Sequence, residues 1–207
     1  MKYIDQLMEE RPELLPLQEN LEKAVQAAIQ CYEQGGTLFA CGNGGSGADS
    51  EHIVGELLKG FLKKRPLSPD VAQRINGFAG KDIANRLQQG LGAVSLVSFS
   101  AAQTAIINDL GADLMYAQQL TGLCKKGDIV IGISTSGNAD NVVNAFCVAK
   151  ALGAVTIAMT GRSGGRLRDI ADILLNVPAD QTPRIQEYHL PVYHAFCADL
   201  EEHFFKE

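Results

Sequence analysis

No stretch of this 207-residue chain is apolar for long. The longest such runs, for example Asp128–Ile133, fall far short of the roughly 20 residues a membrane-crossing helix needs. The N-terminal MKYIDQLMEERPELL has no apolar core and no cleavage pattern, so a secretory signal is not expected. Tryptophan is absent, and the five cysteines (Cys31, Cys41, Cys124, Cys147, Cys197) are scattered, odd in number and never in C-x-x-C spacing. That disfavours a disulfide framework and a cysteine zinc site, and free thiols suit a reducing, cytoplasmic setting. Cys41 reads as a buried, inert strand residue. Basic residues are not in excess: 18 Lys and Arg stand against 24 Asp and Glu, a net charge of −6. Nucleic acid and anionic membrane surfaces are therefore not expected as partners, and any anionic ligand must be held locally. The G-x-x-x-x-G-K-[ST] loop of nucleotide triphosphatases is also missing.

What is present is a repeated grammar of apolar run, small polar loop and helical periodicity. Ile4–Gln34 carries apolar residues at helical spacing and reads as one or two amphipathic helices closed by Gly35–Gly36. The run Thr37–Cys41 reads as a buried strand, followed by the glycine-rich turn Gly42–Gly47 and a helix over Ala48–Leu62. Ninety-one residues later the pattern recurs: strand Ile129–Ile133, loop Ser134–Asn138, helix Ala139–Leu152. Further strands are expected at Ala93–Phe99, Ala154–Thr160 and Ile173–Val177, with helices near Ala101–Asn108 and over Arg184–Lys206. Pro191 should kink or break the last. Strands alternating with helices predict a single α/β domain: a three-layer αβα sandwich on a parallel, doubly wound, flavodoxin-like sheet. Lys63–Gly92 departs from this rhythm. Polar and rich in cations, it reads as a solvated excursion, with a basic lid or an oligomer contact as the functional alternative. On that reading, deleting Lys63–Gly80 would alter affinity or assembly more than the fold.

Gly42-Asn43-Gly44-Gly45-Ser46-Gly47 fits G-x-G-x-x-G, but no second strand ending in an acid follows about 20 residues on, so a dinucleotide site is not supported. A glycine-rich turn opening a helix does expose backbone N–H groups and the positive end of a dipole. The second loop adds three adjacent hydroxyls at another helix start. Candidate phosphate contacts are Asn43, Gly44, Gly45 and Ser46 in the first loop, and Ser134, Thr135, Ser136 and Asn138 in the second. The ligand-free alternative is ordinary N-capping. Two such loops on sequential strand–helix units favour an anion site for a small phosphorylated ligand.

His52 and Glu56 stand at i, i+4 and share one helix face. Gln186, His189 and His194 fall within nine residues, with Gln186 and His194 two turns apart. Two imidazoles, a carboxylate and a weak oxygen donor fit a zinc-type set. Each also has a structural alternative: an exposed histidine, a solvated helix charge, a helix–helix contact. His203 has no partner by spacing and reads as exposed.

Taken together, CGNGGSGADSEHIVGEL, GISTSGNADNV, TGRSGGRL and RIQEYHLPVYH resemble the sugar-isomerase (SIS) domain family. The pairing of H-x-x-x-E with R-I-Q-E-x-H-x-x-V-x-H is closest to its phosphoheptose isomerase branch. The resemblance covers nearly the whole chain except Lys63–Gly92. It implies a ketose–aldose isomerase of a phosphosugar, with sedoheptulose 7-phosphate as substrate. It further implies a metal set of His52, Glu56, Gln186 and His194, a zinc-type cofactor, and phosphate contacts at Ser46, Ser134, Thr135 and Ser136. A homotetramer with active sites shared between subunits is implied as well. Glu56 would be the catalytic base and His194 the acid. The chain departs from the family where Ala139 replaces a serine, Gly60 an arginine and Pro183 an aspartate, and where the excursion is longer. Two alternatives follow: an isomerase of a different phosphosugar, or a non-catalytic phosphosugar- or replication-initiator-binding protein.

Overall fold

The computed structural model describes residues 1–205. Five parallel strands form its sheet: β1 (Leu38–Gly42), β2 (Ala93–Ser95), β3 (Ile129–Ile133), β4 (Val155–Thr160) and β5 (Ile173–Asn176), in the order β2-β1-β3-β4-β5. β1 and β3 are buried along their whole length. That is why they read as continuous apolar runs rather than alternating ones. The two-residue period still sorts their side chains. Leu38, Ala40, Ile129 and Ile131 face one core, and Phe39, Cys41 and Val130 face the other.

The first core is covered by α1 (Lys2–Glu10), α2 (Gln18–Glu33), α3 (Gly45–Leu58) and α9 (Thr182–Phe204). The second is covered by α6 (Met115–Leu123), α7 (Asp140–Ala151) and the short α8 (Leu167–Ile170). The three-layer αβα arrangement and the flavodoxin-like strand order are those expected. The chain leaves β1 toward one edge and β3 toward the other. Their carboxyl ends therefore flank a crevice, where open α/β sheets hold ligands.

Several expectations need correction. β2 stops at Ser95 rather than Phe99. The residues 112–123, which carried no predicted element, form a 3-10 turn and α6. α9 starts two residues early, with Pro183 in its first turn, where a missing N–H costs nothing. Its expected end at Lys206 lies outside the described residues. Pro191 does not break it. The carbonyl freed at Glu187 belongs to an exposed residue, where water can satisfy it.

The largest correction concerns Lys63–Gly92. It is not merely a solvated excursion: Arg65 is completely buried and pairs with the buried Glu201 of α9 at 2.8 Å. Glu201 also accepts the backbone N–H groups of Phe61, Leu62 and Lys63 at 2.8, 2.7 and 3.0 Å. Arg65 donates to the carbonyls of Leu57 (2.7 Å) and Glu56 (2.9 Å), two of the orphan acceptors at the C-terminus of α3. Within the excursion α4 (Pro69–Ala79) buries no residue, and neither does α5 (Ser100–Asp109), which follows β2.

Candidate active site

The crevice is bounded by the two loops read as phosphate contacts. The β1 loop runs through Asn43–Gly45 into α3, and Ser46 is buried in that helix's first turn. The β3 loop holds Ser134, buried, with Thr135 and Ser136 progressively more exposed. Asn43 and Asn141 join the two across the crevice. Each side-chain amide donates to the other's carbonyl, at 2.9 and 2.8 Å. Tyr116, on α6, donates to the Gly42 carbonyl at 2.5 Å and anchors the same turn. Burial drives its phenol pKa upward. Asn138 is committed elsewhere. Its Oδ1 accepts Arg166 N–H at 3.0 Å and its Nδ2 donates to the Ser136 carbonyl at 3.0 Å, tying the β3 loop to the turn after β4. Asn43 and Asn138 thus shape the loops through their side chains. Tyr116 lies outside every motif, and Asn141, though within GISTSGNADNV, is not singled out by spacing; a core tyrosine and a helix asparagine acquire meaning only in contact.

From this end α3 and α9 run side by side in the same direction. Gln186 meets the start of α3: a Cβ on Gly45 would lie 2.6 Å from Gln186 Nε2, so a larger residue there would displace the end of that side chain. Two turns on, His194 meets His52, ring centroids 5.0 Å apart and nearly perpendicular, and packs also on Tyr193 and Phe61. Near the helix ends Glu201 meets the chain leaving α3. The four residues proposed from spacing are thus strung along one helix–helix seam.

His52 is held at both ring nitrogens. Nε2 lies 3.0 Å from Glu56 Oε1, and Nδ1 lies 2.9 Å from the Tyr193 hydroxyl. The Tyr193 hydroxyl in turn donates to Asp49 Oδ1 at 3.3 Å. Burial raises the pKa of Asp49 and of Tyr193, the hydrogen bond from Tyr193 and the nearby His52 partly offsetting it at Asp49. His194 is pushed the other way. Burial lowers its pKa, the neighbouring His52 lowers it further, and Glu56 opposes both. His194 is accordingly neutral near pH 7. On another side it borders an open groove of about 300 Å³ lined by Gln6, Glu10, Phe61 and Leu62.

Three buried atoms at this seam have no hydrogen-bond partner: Asp49 Oδ2, Glu56 Oε2 and His194 Nε2. Lys59 Nζ lies 3.6 Å from Glu56 Oε2. A metal ion would satisfy Glu56 and His194 together, and imidazole with carboxylate is a zinc-type donor set. Among the described residues no group of three or more His, Cys, Asp or Glu side chains already stands in a metal-binding arrangement, so binding requires His52 and Glu56 to part. His189, by contrast, is a core residue: fully buried, its Nε2 lies 3.3 Å from the Thr160 carbonyl, and burial lowers its pKa to about 4. Cys41 is buried, its thiol pushed up to about 12 by burial, as expected of an inert strand cysteine. His203 is exposed, as expected, and lies 3.5 Å from Glu33.

This arrangement matches known proteins over most of its length. A family model described as SIS domain matches residues 2–88 and 77–161. The phosphoheptose isomerase of Aliarcobacter butzleri (strain RM4018) is 40% identical over 185 residues, covering 89% of this chain and 86% of that protein. That of Helicobacter pylori (strain P12) is 39% identical over 188 residues, 91% of this chain and 86% of its own length. Among solved structures, phosphoheptose isomerase GmhA from Neisseria gonorrhoeae superposes with a TM-score of 0.74 at 34% identity, over 96% of this chain and 91% of that one. A phosphoheptose isomerase from Francisella tularensis gives 0.76 at 29% identity, over 97% and 95%. No helix among the described residues is long and apolar enough to cross a membrane. With its strand order, its paired crevice loops and the H-x-x-x-E and R-I-Q-E-x-H motifs facing one another, the chain belongs to the SIS domain family, in its phosphoheptose isomerase branch.

Proposed function

We propose that this protein is a ketose–aldose isomerase that converts sedoheptulose 7-phosphate to D-glycero-D-manno-heptose 7-phosphate. One observation carries the reading: a single α3–α9 seam sets Glu56 and His52 against His194, beside a crevice whose two loops suit a phosphate. The isomerisation moves a carbonyl between C2 and C1 through an enediol. Glu56 removes the carbon-bound proton and returns it to the neighbouring carbon. His194, neutral because it is buried beside His52, serves the developing oxygen as a hydrogen-bonding acid. Gly44, Gly45 and Ser46, with Ser134, Thr135 and Ser136, hold the phosphate at the N-terminus of α3. His52, Glu56, Gln186 and His194 are proposed to hold a zinc-type ion. When bound, it would polarise the substrate oxygen.

We place the protein in the cytoplasm, with no membrane or nucleic-acid partner, as a homotetramer whose sites are completed between subunits. Supporting the assembly, α4 and α5 bury nothing within one chain, and Phe78 on α4 is 94% exposed.

One observation favours a second reading, an isomerase acting on a different phosphosugar. Gln88, from the long excursion, accepts the Gly60 N–H at 2.9 Å and occupies the space a side chain at position 60 would need. The family's arginine cannot be accommodated there without moving it. The binding-module alternative has no use for a base, an acid and a ligand set on one seam. A panel of ketose phosphates assayed with and without a chelator, together with metal analysis, tests the proposal. Turnover of sedoheptulose 7-phosphate lost on chelation supports it. Turnover of another ketose only moves it to the second reading, and phosphosugar binding without turnover contradicts both.

A further inference from the structure

Tyr193 fills an unspecified position of the R-I-Q-E-x-H-x-x-V-x-H motif, yet it holds one of the residues proposed for the reaction. It lies next to His194, is 2% exposed, and sends its hydroxyl into α3 between two polar side chains. The order of that contact is informative. A tyrosine hydroxyl has one proton to give. Asp49 Oδ1, 3.3 Å away, can only accept it, whereas His52 Nδ1, at 2.9 Å, donates or accepts according to its tautomer. A hydroxyl proton given to Asp49 calls for an Nδ1–H on His52. Nε2 then faces the Glu56 carboxylate, 3.0 Å away, as a lone pair.

We propose that Tyr193 is a positioning residue: it relays the Asp49 carboxylate to His52, fixing that imidazole as its Nδ1–H tautomer with Nε2 turned toward Glu56. The geometry has the logic of the carboxylate partners that orient metal-binding histidines, with a phenol inserted between acid and imidazole. Ring contacts support the same orientation. His52 lies edge-on to Tyr193, centroids 5.4 Å apart and planes at 71°, and edge-on to His194 at 82°, so the ring has aromatic walls on two sides. Without the hydroxyl, His52 lowers its energy by moving its proton to Nε2 and donating to Glu56, which closes the lone pair. The hydrogen-bond chain is a property of the fold alone. Its consequence for ion binding rests on the isomerase reading above.

The test uses the full chain, uniformly ¹⁵N-labelled and stripped of metal. Long-range proton–nitrogen correlation spectra of the imidazoles report the tautomer, with the His52 signals identified by their loss in His52→Asn. Wild type is expected to carry the proton on Nδ1. Tyr193→Phe, which keeps the buried ring and both edge contacts, is expected to move it to Nε2 and to weaken zinc binding, read by competition with a chromogenic chelator, by about 10–100-fold. Asp49→Leu is the second variant. With its acceptor gone, Tyr193 turns its O–H to Nδ1, and the same tautomer change follows while Tyr193 itself remains. A wild-type His52 protonated on Nε2 overturns the proposal. So does either folded variant showing unchanged tautomer and unchanged zinc affinity. If the expected tautomer change appears in a wild-type background that forms no aldose phosphate, the positioning role stands and the isomerase reading falls.

Discussion

Arg65 and Glu201 form a 2.8 Å ion pair closed to solvent, joining the chain just beyond α3 to the last turns of α9. Glu201 gathers three backbone N–H groups as well, and Arg65 caps two α3 carbonyls, one of them that of Glu56. The pair closes the far end of the seam on which the proposed chemistry stands.

Removing either partner leaves a buried charge without compensation, a loss of about 3–5 kcal/mol. Arg65→Met is expected to lower the free energy of unfolding by that order. Glu201→Leu is expected to cost more, since it also strands the N–H groups of Phe61, Leu62 and Lys63. Denaturant unfolding of both variants checks this ordering. Equal and small effects would show that the pair contributes little.

The rest of the excursion is expected to behave differently. Excising Pro69–Ala79 and rejoining the ends with a short glycine-serine linker should leave the stability of an isolated chain within about 1 kcal/mol, because α4 buries nothing. Assembly is where the loss should show. Sedimentation velocity of the excised form is expected to give a smaller species than wild type, and an unchanged sedimentation coefficient would remove α4 from the interface.

Asn43 and Asn141 hold the two crevice loops together by reciprocal amide hydrogen bonds. Asn141→Asp removes a donor and places a negative charge beside the proposed phosphate. The expected outcome is a KM for phosphosugar raised about tenfold or more with kcat changed less, consistent with one lost hydrogen bond plus repulsion. Steady-state kinetics separate the two constants. A fall in kcat at constant KM would place Asn141 in the chemistry instead.

His189 predicts an acid-sensitive fold. The unfolded chain binds a proton at this residue near pH 6.5, and the folded chain only near pH 4, because burial disfavours the imidazolium. Stability from this group is whole above pH 6.5 and is lost as pH falls toward 4, by about 3 kcal/mol in all. Chemical denaturation at pH 7, 6, 5 and 4 should show that slope, and His189→Phe should flatten it.

The sheet was legible in the sequence because buried parallel strands are short unbroken apolar runs between glycine-rich turns. Thr37–Cys41 and Ile129–Ile133 lie within a residue of β1 and β3. The helix ends were legible where glycine punctuates them, as at Gly35. α6 was not, since its positions bury Tyr116, Ala117, Gln119 and Leu120, a mixture without a clean apolar stripe. The burial of Arg65 within Lys63–Gly92 was not legible for a plain reason: spacing shows a cation, and only the fold shows Glu201, 136 residues away, as its partner. At the candidate site, motif spacing points to His52, Glu56, Gln186 and His194, and the fold strings them along one seam. Spacing does not single out Asp49, Tyr193, Asn141 or Tyr116, whose contacts come from partners across the fold.

The central claim is that Glu56 moves a carbon-bound proton of a phosphorylated ketose. Sedoheptulose 7-phosphate incubated with the metal-loaded protein in deuterium oxide, followed by NMR, tests it directly. The account predicts that the aldose phosphate appears and that deuterium enters at C2 of the aldose and C1 of the ketose, both slowed by about 10²–10⁴-fold in Glu56→Gln while phosphosugar binding is retained. Aldose formation and exchange at wild-type rates in Glu56→Gln, or neither process in a wild-type protein that binds the sugar, would contradict it.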